Sequence, residues 1–410
     1  MPAFRFSALA GRRLHLVVCG SIAAYKAVEL MRMAMKSGLG VGVTVTPAAA
    51  RFITPLTFAS LGADVVYEGM FGQEDGTVYG HLNPGAAAHA FVVAPATADF
   101  LFRAAHGAAD TLAAAQALAF PGPMVIAPAM NPRMWANEAT RENVAVLRRR
   151  GHTVLTPECG AVACGDEGQG RLVRLEEILL HALKACAVGL TDTSLEGRKI
   201  VVTLGPTREA WDGVRFWTNR STGLMGAALV TAAWLRGAEV HAVAGPGVPD
   251  LPAGVYRHDV ESARQMHERA MQLWPEMDAG ICTAAVADFS PEPHGPEKFK
   301  KSGAADGFSL RFIPNPDILA DLALARGPND HRRLLGFAAE TDSLESAVMD
   351  KLSRKKVDMI AGNLVGRPDS GFGSPTNTLF TADRAGRSEH WPSQSKADAA
   401  WRLLDWLFSL

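Results

Sequence analysis

Cysteine is scarce in this sequence, five in 410 residues, and the odd number leaves at least one outside any pairing. So thin a supply excludes a disulfide framework and suits a reducing cytoplasm. Neither sign of charge dominates: 41 Lys and Arg stand against 42 Asp and Glu, for a formal charge of −1. That balance excludes a chain that holds nucleic acid through bulk charge. No apolar run reaches the roughly 18 residues a membrane helix needs. The short apolar stretch near the N-terminus runs straight into a Gly-Ser turn, so it reads as a first strand and not as an export signal. The loop after that strand is neither GxGxxG nor a Walker motif, and no Walker motif follows the second half's opening strand. These absences count against an NAD dehydrogenase and a P-loop kinase.

What is present is an ordinary globular mix, 48% apolar and 20% charged, long enough for two or three domains. Two apolar runs, residues 14–19 and 199–204, each lead into a glycine turn, Gly20 and Gly205. A strand that feeds a turn and then a helix opens a doubly wound α/β unit. Seen twice, it predicts two tandem α/β domains of Rossmann-like type, residues 1–188 and 198–410, joined by a polar linker over 189–197. In the first half strands are expected at 14–19, 41–45, 90–93, 124–126 and 153–155, with helices at 23–37, 98–119 and 138–150. In the second half strands are expected at 199–204, 239–244, 279–283, 334–337 and 359–362, with a helix at 225–236 and short strands at 308–313 and 377–381. Near-continuous apolar strands separated by helices imply parallel sheets covered on both faces. Ligands of such sheets bind beyond the carboxyl ends of the strands, so the loops there carry the function.

Three loops of the first half combine small residues with a hydroxyl before a helix: Gly20-Ser21, Thr46-Pro47 and Ala96-Thr97. Free N–H groups at helix starts suit a phosphate. Each loop alone is more often a plain cap. Together they describe a pocket for a flat, phosphorylated cofactor. His81 sits on a surface loop, where a lone histidine is usually inert. Asn131, after Met130, either donates to a carboxylate or begins the next helix. Three glycines, Gly165, Gly168 and Gly170, mark a flap that carries Cys164. Cys159 and Cys164 have no second pair and make a poor zinc site, so a redox or proton-donating thiol is the better reading.

GSIAAYK, the Gly-His pair, PATAD, PAMN and ACGDEGQGR follow one another at fixed separations. Over residues 12–186 the segment resembles the flavin-containing cysteine decarboxylases, in particular the phosphopantothenoylcysteine decarboxylases of coenzyme A biosynthesis. The resemblance implies a flavodoxin-like domain holding FMN among Gly20, Ser21, Thr46, Ala96, Thr97 and Met130. It implies His81 at the substrate carboxylate end, Asn131 holding that carboxylate, and Cys164 as proton donor. The implied chemistry follows from the electrons. The carbon bearing the thiol is oxidised with FMN as hydride acceptor. The resulting thioaldehyde accepts the electrons left by carbon dioxide. The returned hydride and a proton from Cys164 complete the product. A cysteine on a closing flap arrives late, as a final donor must.

The second half fills the space after its first strand with GPTRE and then Arg215, Asn219 and STGLMG, which reads as an anion-binding loop. Further on stand AAVADF with Ala284, Ala285 and Asp288, the cluster Lys298, Lys300 and Lys301, and NPDIL over 315–319. Lys351 and Lys355 share one helix face. A solvated surface is the ordinary reading of such lysines. The segment 196–408 resembles the phosphopantothenate–cysteine ligases. That resemblance implies a CTP site of Ala284, Ala285, Asp288, Lys298, Asn315, Pro316, Asp317, Ile318, Phe337, Lys351 and Lys355. Lys298 would also assist formation of an acyl-cytidylate, Asn219 would position that intermediate, Arg215 would be a further active-site group, and Mg²⁺ with no assigned protein ligands would bridge the triphosphate. Three departures stand out: Leu224 replaces a lysine of the family's SSGKMG, GGTREP is Gly-Pro-Thr-Arg-Glu-Ala, and ANDV is Gly362-Asn363-Leu364-Val365. By resemblance the substrates are 4′-phosphopantothenate, cysteine and CTP, and the assembly is a homo-oligomer, a dodecamer of trimers and dimers. Two other readings compete with this one: a different FMN enzyme fused to a divergent nucleotide-binding module, and a regulatory subunit that binds a phosphatase. Intact Cys164, His81 and Lys298, and the lack of an acidic tail, favour the two-activity enzyme.

Overall fold

Strands buried on both faces need side chains that are apolar at every position, and the first half supplies them. The strands are β1 (Arg13–Val18), β2 (Gly40–Val45), β3 (Val65–Tyr67), β4 (Ala90–Ala96), β5 (Met124–Pro128) and β6 (Thr153–Val154). In this computed structural model, which describes residues 5–70, 79–162, 165–188, 190, 194–300, 307–327, 330–365 and 373–410, every residue of β4 and β5 is buried. The six strands form one parallel sheet in the order β3-β2-β1-β4-β5-β6. Without the short edge strand β3, this is the flavodoxin-like order. The direction of winding reverses between β1 and β4, and a crevice opens there. One core face packs Val17, Phe91, Val93 and Ile126 against Phe100, Leu101, Val144 and Leu147.

Two local differences from the sequence expectation have clear causes. The helix expected over 98–119 is two helices, Ala98–His106 and Leu112–Ala119. Gly107 ends the first at φ 70°, a left-handed conformation that glycine adopts without penalty, and Thr111 caps the second by accepting from Ala114 N. The helix after β1 begins as a 3₁₀ turn, Ile22–Tyr25, and becomes α-helical at Lys26–Lys36. The glycine-rich flap is an antiparallel hairpin of β7 (Glu158–Ala161) and β8 (Glu167–Arg171). It is tied to the loop after β5: Met130 N donates to Gly170 O at 3.0 Å, and a Cβ on Gly170 would meet Met130 O at 2.2 Å.

The chain divides by contacts into units of residues 5–192 and 193–410. The second has β9 (Lys199–Leu204), β10 (Arg208–Ala210), β11 (Phe216–Thr218), β12 (Glu239–Ala244), β13 (Tyr256–Asp259), β14 (Ala279–Cys282), β15 (Phe289–Pro291) and β16 (Phe312–Pro314). These are followed by β17 (Arg333–Glu340), β18 (Met359–Leu364), β19 (Thr376–Asp383) and β20 (Ser388–Ser395). The main sheet runs β13-β12-β9-β14-β17-β18-β19-β20, parallel through β18, with β19 and β20 antiparallel. Its winding reverses between β9 and β14. The helix Leu224–Leu235 is apolar all round and packs against the last helix, Lys396–Ser409. The strand expected over 308–313 is only Phe312–Pro314, paired with β15. Phe308 is instead drawn into a ring stack on Trp211, with centroids 5.3 Å apart.

Candidate functional site

The crevice of the first unit holds two hollows. The larger, about 710 Å³, lies beyond β1, β2 and β4 and is lined by Gly20, Thr46 and Thr97 together with Cys19, Ala48, Asp99, Arg103 and Asp110. Gly20 is required: a Cβ there would stand 2.4 Å from Ala48 Cβ. Thr46 Oγ1 accepts from Ala49 N, and Thr97 Oγ1 accepts from Phe100 N, both at 3.3 Å. Both hydroxyls thus cap turns at the mouth of the hollow. Ala96 is fully buried at the end of β4, and its carbonyl accepts from Ala129 N at 3.0 Å. Burial pushes the Cys19 thiol up to about 12, so it lines the hollow as a neutral thiol.

The second hollow, about 590 Å³, is lined by Ser21, Met130 and Asn131 with Tyr25, Lys26 and Arg171. Ser21 Oγ accepts from Ala23 N at 3.4 Å, capping the 3₁₀ turn. Asn131 has two tasks. Its Oδ1 accepts from Arg133 N at 2.8 Å, and its Nδ2 donates to Asp166 Oδ2 at 2.7 Å. Arg133 Nη2 reaches Asp166 Oδ1 at 3.1 Å. Two side-chain donors therefore converge on one carboxylate.

His81 lines neither hollow. It lies in the turn before the helix Asn83–Ala87, next to Gly80, whose carbonyl accepts from Gln116 Nε2 at 2.8 Å. Gln116 Oε1 accepts from Thr44 Oγ1 at 2.7 Å, and Thr44 Oγ1 meets His15 Nε2 at 2.9 Å. Thr44 has one hydroxyl hydrogen and gives it to Gln116, so His15 Nε2 is the donor in that contact. Burial lowers the His15 pKa to about 4, which keeps the ring neutral. This buried polar chain went unread in the sequence, where each member sits inside an apolar run or an alanine-rich helix. Arg103 was missed too, although Asp99 four residues before it is a readable signal; it pairs with Asp99 at 2.8 Å and with Asp110. Cys164 lies outside the described residues.

In the second unit a hollow of about 100 Å³ opens beyond β14 and along β17 and β18. Ala284, Ala285 and Phe337 line it, as do Ser221 to Gly226, Asn363, Asn377 and Lys396. Asn219 Nδ2 donates to Ala285 O at 3.0 Å, which holds the asparagine beside the hollow. Lys351 Nζ donates to Phe337 O at 2.7 Å, and burial lowers its pKa. Asn315 is fixed by three bonds: its N to Asp288 O at 2.9 Å, its Nδ2 to Ala287 O at 2.8 Å, and Ser290 Oγ to its Oδ1 at 2.6 Å. Asp317 caps the helix Ile318–Leu324 through Ala320 N and pairs with Lys355. Ile318 belongs to the core, Pro316 is half-buried, and Asp288 is exposed.

Arg215 and exposed Lys298 are not among the lining residues of this hollow. They are brought near each other by Asp212, which accepts from Val214 N at 2.8 Å, Arg215 N at 2.7 Å and Phe299 N at 3.1 Å. Burial would raise the Asp212 carboxyl, but these three N–H groups outweigh it and hold its pKa below the usual value. The rings of Trp211, Phe299 and Phe308 pack around the same segment. Among the described residues no group of three His, Cys, Asp or Glu could hold a metal ion.

Known proteins resemble the chain along nearly its whole length. The flavoprotein family model matches residues 7–195, and the model of the DNA/pantothenate metabolism flavoprotein C-terminal domain matches residues 195–410. A coenzyme A biosynthesis bifunctional protein CoaBC of Vibrio parahaemolyticus is 40% identical over 92% of this chain and 93% of its own. One of Bacillus subtilis is 38% identical over 98% of both. A crystal structure of a CoaBC C-terminal domain is 32% identical, covering 53% of this chain and 98% of its own, with a TM-score of 0.43.

Proposed function

The chain belongs to the CoaBC family of bifunctional coenzyme A biosynthesis proteins, and from that premise we propose how its residues divide two chemistries. It is an enzyme with two activities, phosphopantothenate–cysteine ligase and phosphopantothenoylcysteine decarboxylase, which act in that order to give 4′-phosphopantetheine.

FMN is the flavin of the first unit, held by Gly20, Ser21, Thr46, Ala96, Thr97 and Met130. The fit rests on this chain's own features. The larger hollow has a mainly apolar lining for a ring system, and at its mouth stand two turns capped by Thr46 and Thr97, the second opening a helix. When bound, FMN supplies a hydride acceptor and later a hydride donor. Asn131 and Arg133 hold the substrate carboxylate by the hydrogen bonds they now give to Asp166. His81 assists at that end of the substrate, and Cys164 gives the last proton.

CTP is the nucleotide of the second unit, held by Ala284, Ala285, Asp288, Lys298, Asn315 to Ile318, Phe337, Lys351 and Lys355. The 4′-phosphopantothenate carboxylate is a poor electrophile. Its attack on CTP forms an acyl-cytidylate and expels pyrophosphate; the cysteine amine then displaces CMP. Lys298 and Arg215 offset the charge that gathers on the phosphates, and Asn219 orients the intermediate. Mg²⁺ travels on the triphosphate, and no protein ligand is assigned to it, since the described residues offer no cage. The reading includes the cytoplasmic setting and a dodecamer of trimers and dimers. Exposed Ile22, Tyr25 and Leu56 on the first unit support burial between copies, and light scattering should give twelve times the chain mass.

The observation that supports the reading is that each sheet opens onto a hollow where its winding reverses, with Gly20, Thr46 and Thr97 lining the larger one of the first unit and Ala284, Ala285 and Phe337 that of the second; the other residues named for CTP lie outside that lining. The test is incubation of the purified protein with 4′-phosphopantothenate, cysteine, CTP and Mg²⁺. Mass analysis should find 4′-phosphopantetheine, CMP and carbon dioxide. Replacement of CTP by ATP should suppress all three, and full activity with ATP would remove the nucleotide assignment.

A further inference from the structure

Gln116 is fully buried in the alanine-rich helix Leu112–Ala119. A buried amide is costly unless both its ends find partners, and here both do. Its Nε2 donates to Gly80 O at 2.8 Å, and its Oε1 accepts from Thr44 Oγ1 at 2.7 Å. The amide can face only one way, since a carbonyl accepts and cannot donate. His15 closes the chain, its Nε2 2.9 Å from Thr44 Oγ1. For the fold alone apolar side chains would serve, because exchanging both partners of a buried pair for apolar groups of the same shape is nearly neutral. What the polar chain adds is a fixed geometry.

The carbonyl that Gln116 holds belongs to a particular peptide. Leu82 N and Asn83 N both donate to Tyr79 O, at 2.8 and 2.9 Å, so Gly80 and His81 are the middle residues of a closed turn. The bond from Gln116 therefore pins the central peptide of that turn, the one that joins Gly80 to His81. Type I and type II turns differ in the orientation of this peptide, and type II needs a positive φ at the third residue. Among the described residues other than glycine only Ser343 and Lys356 have positive φ, so His81 has the other sense. The helix that follows the turn is keyed to the same support: a Cβ on Gly85 would meet Ala119 O at 2.8 Å. At its other end that support reaches the larger hollow, which Thr111, Leu112 and Ala113 line, as does Thr44. One helix thus spans from the wall of the hollow to the turn that carries His81.

We propose that Gln116 is a positioning residue for decarboxylation: it holds the peptide between Gly80 and His81 and so sets where the imidazole stands relative to the flavin hollow. The assignment rests on the reading above, in which His81 assists at the carboxylate end of the substrate.

The experiment uses the full chain and follows carbon dioxide release from supplied phosphopantothenoylcysteine. Gln116→Met keeps the length of the side chain and removes both hydrogen bonds. It should lower kcat about tenfold, with flavin content and pyrophosphate release unchanged. His81→Asn alone should lower kcat about 100-fold, the scale of a lost proton-transfer group. Added to His81→Asn, Gln116→Met should cost about twofold at most, because a residue that acts through His81 then has nothing to place. Undiminished kcat in Gln116→Met would overturn the assignment. So would an equal loss with and without His81, which is what a merely structural role gives. Thr44→Val frees the far end of the amide and repeats the comparison, with a loss of about threefold when His81 is present and none when it is not. If Gln116→Met lost its flavin or failed to accumulate, Thr44→Val would decide, and equal losses there would overturn the assignment too. Full activity of His81→Asn would remove the reading of His81 and the assignment with it, a result distinct from the others.

Discussion

The side-chain amide of Asn131 donates to the Asp166 carboxylate across 2.7 Å, from the loop after β5 to the turn of the flap hairpin. The guanidinium of Arg133 reaches the other carboxylate oxygen at 3.1 Å. This corner of the first unit is therefore already arranged around a carboxylate, the group that the decarboxylation substrate loses.

Asn131→Ala should reduce carbon dioxide release by about 100-fold or more, the scale of a lost hydrogen bond to a charged group at a reacting centre. Pyrophosphate release by the second unit should not change. Labelled carbon dioxide from supplied phosphopantothenoylcysteine measures the first, and a coupled pyrophosphate assay the second. Equal loss of both would mean that the substitution unfolded the protein instead of emptying one subsite.

Gly20→Ala should yield protein that is colourless or retains little flavin. The new Cβ would stand 2.4 Å from Ala48 Cβ, so one of the two loops at the mouth of the larger hollow must shift. Absorbance near the flavin bands, read against protein concentration, checks this, and a full flavin complement in the variant would contradict it.

The neutral His15 makes stability depend on acidity. In the unfolded chain its imidazole takes a proton near 6.5, whereas in the folded chain it does so only near 4. The unfolded state thus binds more protons between these values. The contribution is fully present above pH 6.5 and is lost progressively as pH falls towards 4, by about 3 kcal/mol. His15→Gln should flatten the fall in melting temperature between pH 7 and pH 4.5. An unaltered slope would assign it to other groups.

Asp212→Ala should weaken the ligase without touching the lysine itself. Three N–H groups would lose their acceptor, and the segments bearing Arg215 and Lys298 would no longer be joined. Pyrophosphate release should fall about tenfold, and Lys298→Gln should cost more, about 100-fold. If Asp212→Ala were as harmful as Lys298→Gln, it would be acting on more than the placement of one side chain.

The parallel strands were legible because full burial leaves a continuous apolar run, as in β4 and β5. The break at Gly107 was obscured by the alanines on both sides, and the helical period carried across it. The strand β13 reads Tyr256-Arg-His-Asp, half-exposed at a sheet edge, and offers no apolar run to find. β20, with its exposed polar residues and Pro392, escaped for the same reason. Among the site residues, those in glycine and hydroxyl loops were visible because local backbone chemistry demands them. Lys396 was not, because its relation to the hollow is made by the packing of the last helix, 170 residues from Gly226, which lines the same hollow.

Among the described residues each sheet lies within one unit, as do the core clusters around Phe91 and around Trp274. A lesion at Asn131 and a lesion at Lys298 are therefore faults in separate machines on one string. Two defective alleles, one of each kind, should complement each other when expressed together, the intermediate made by one copy being finished by the other.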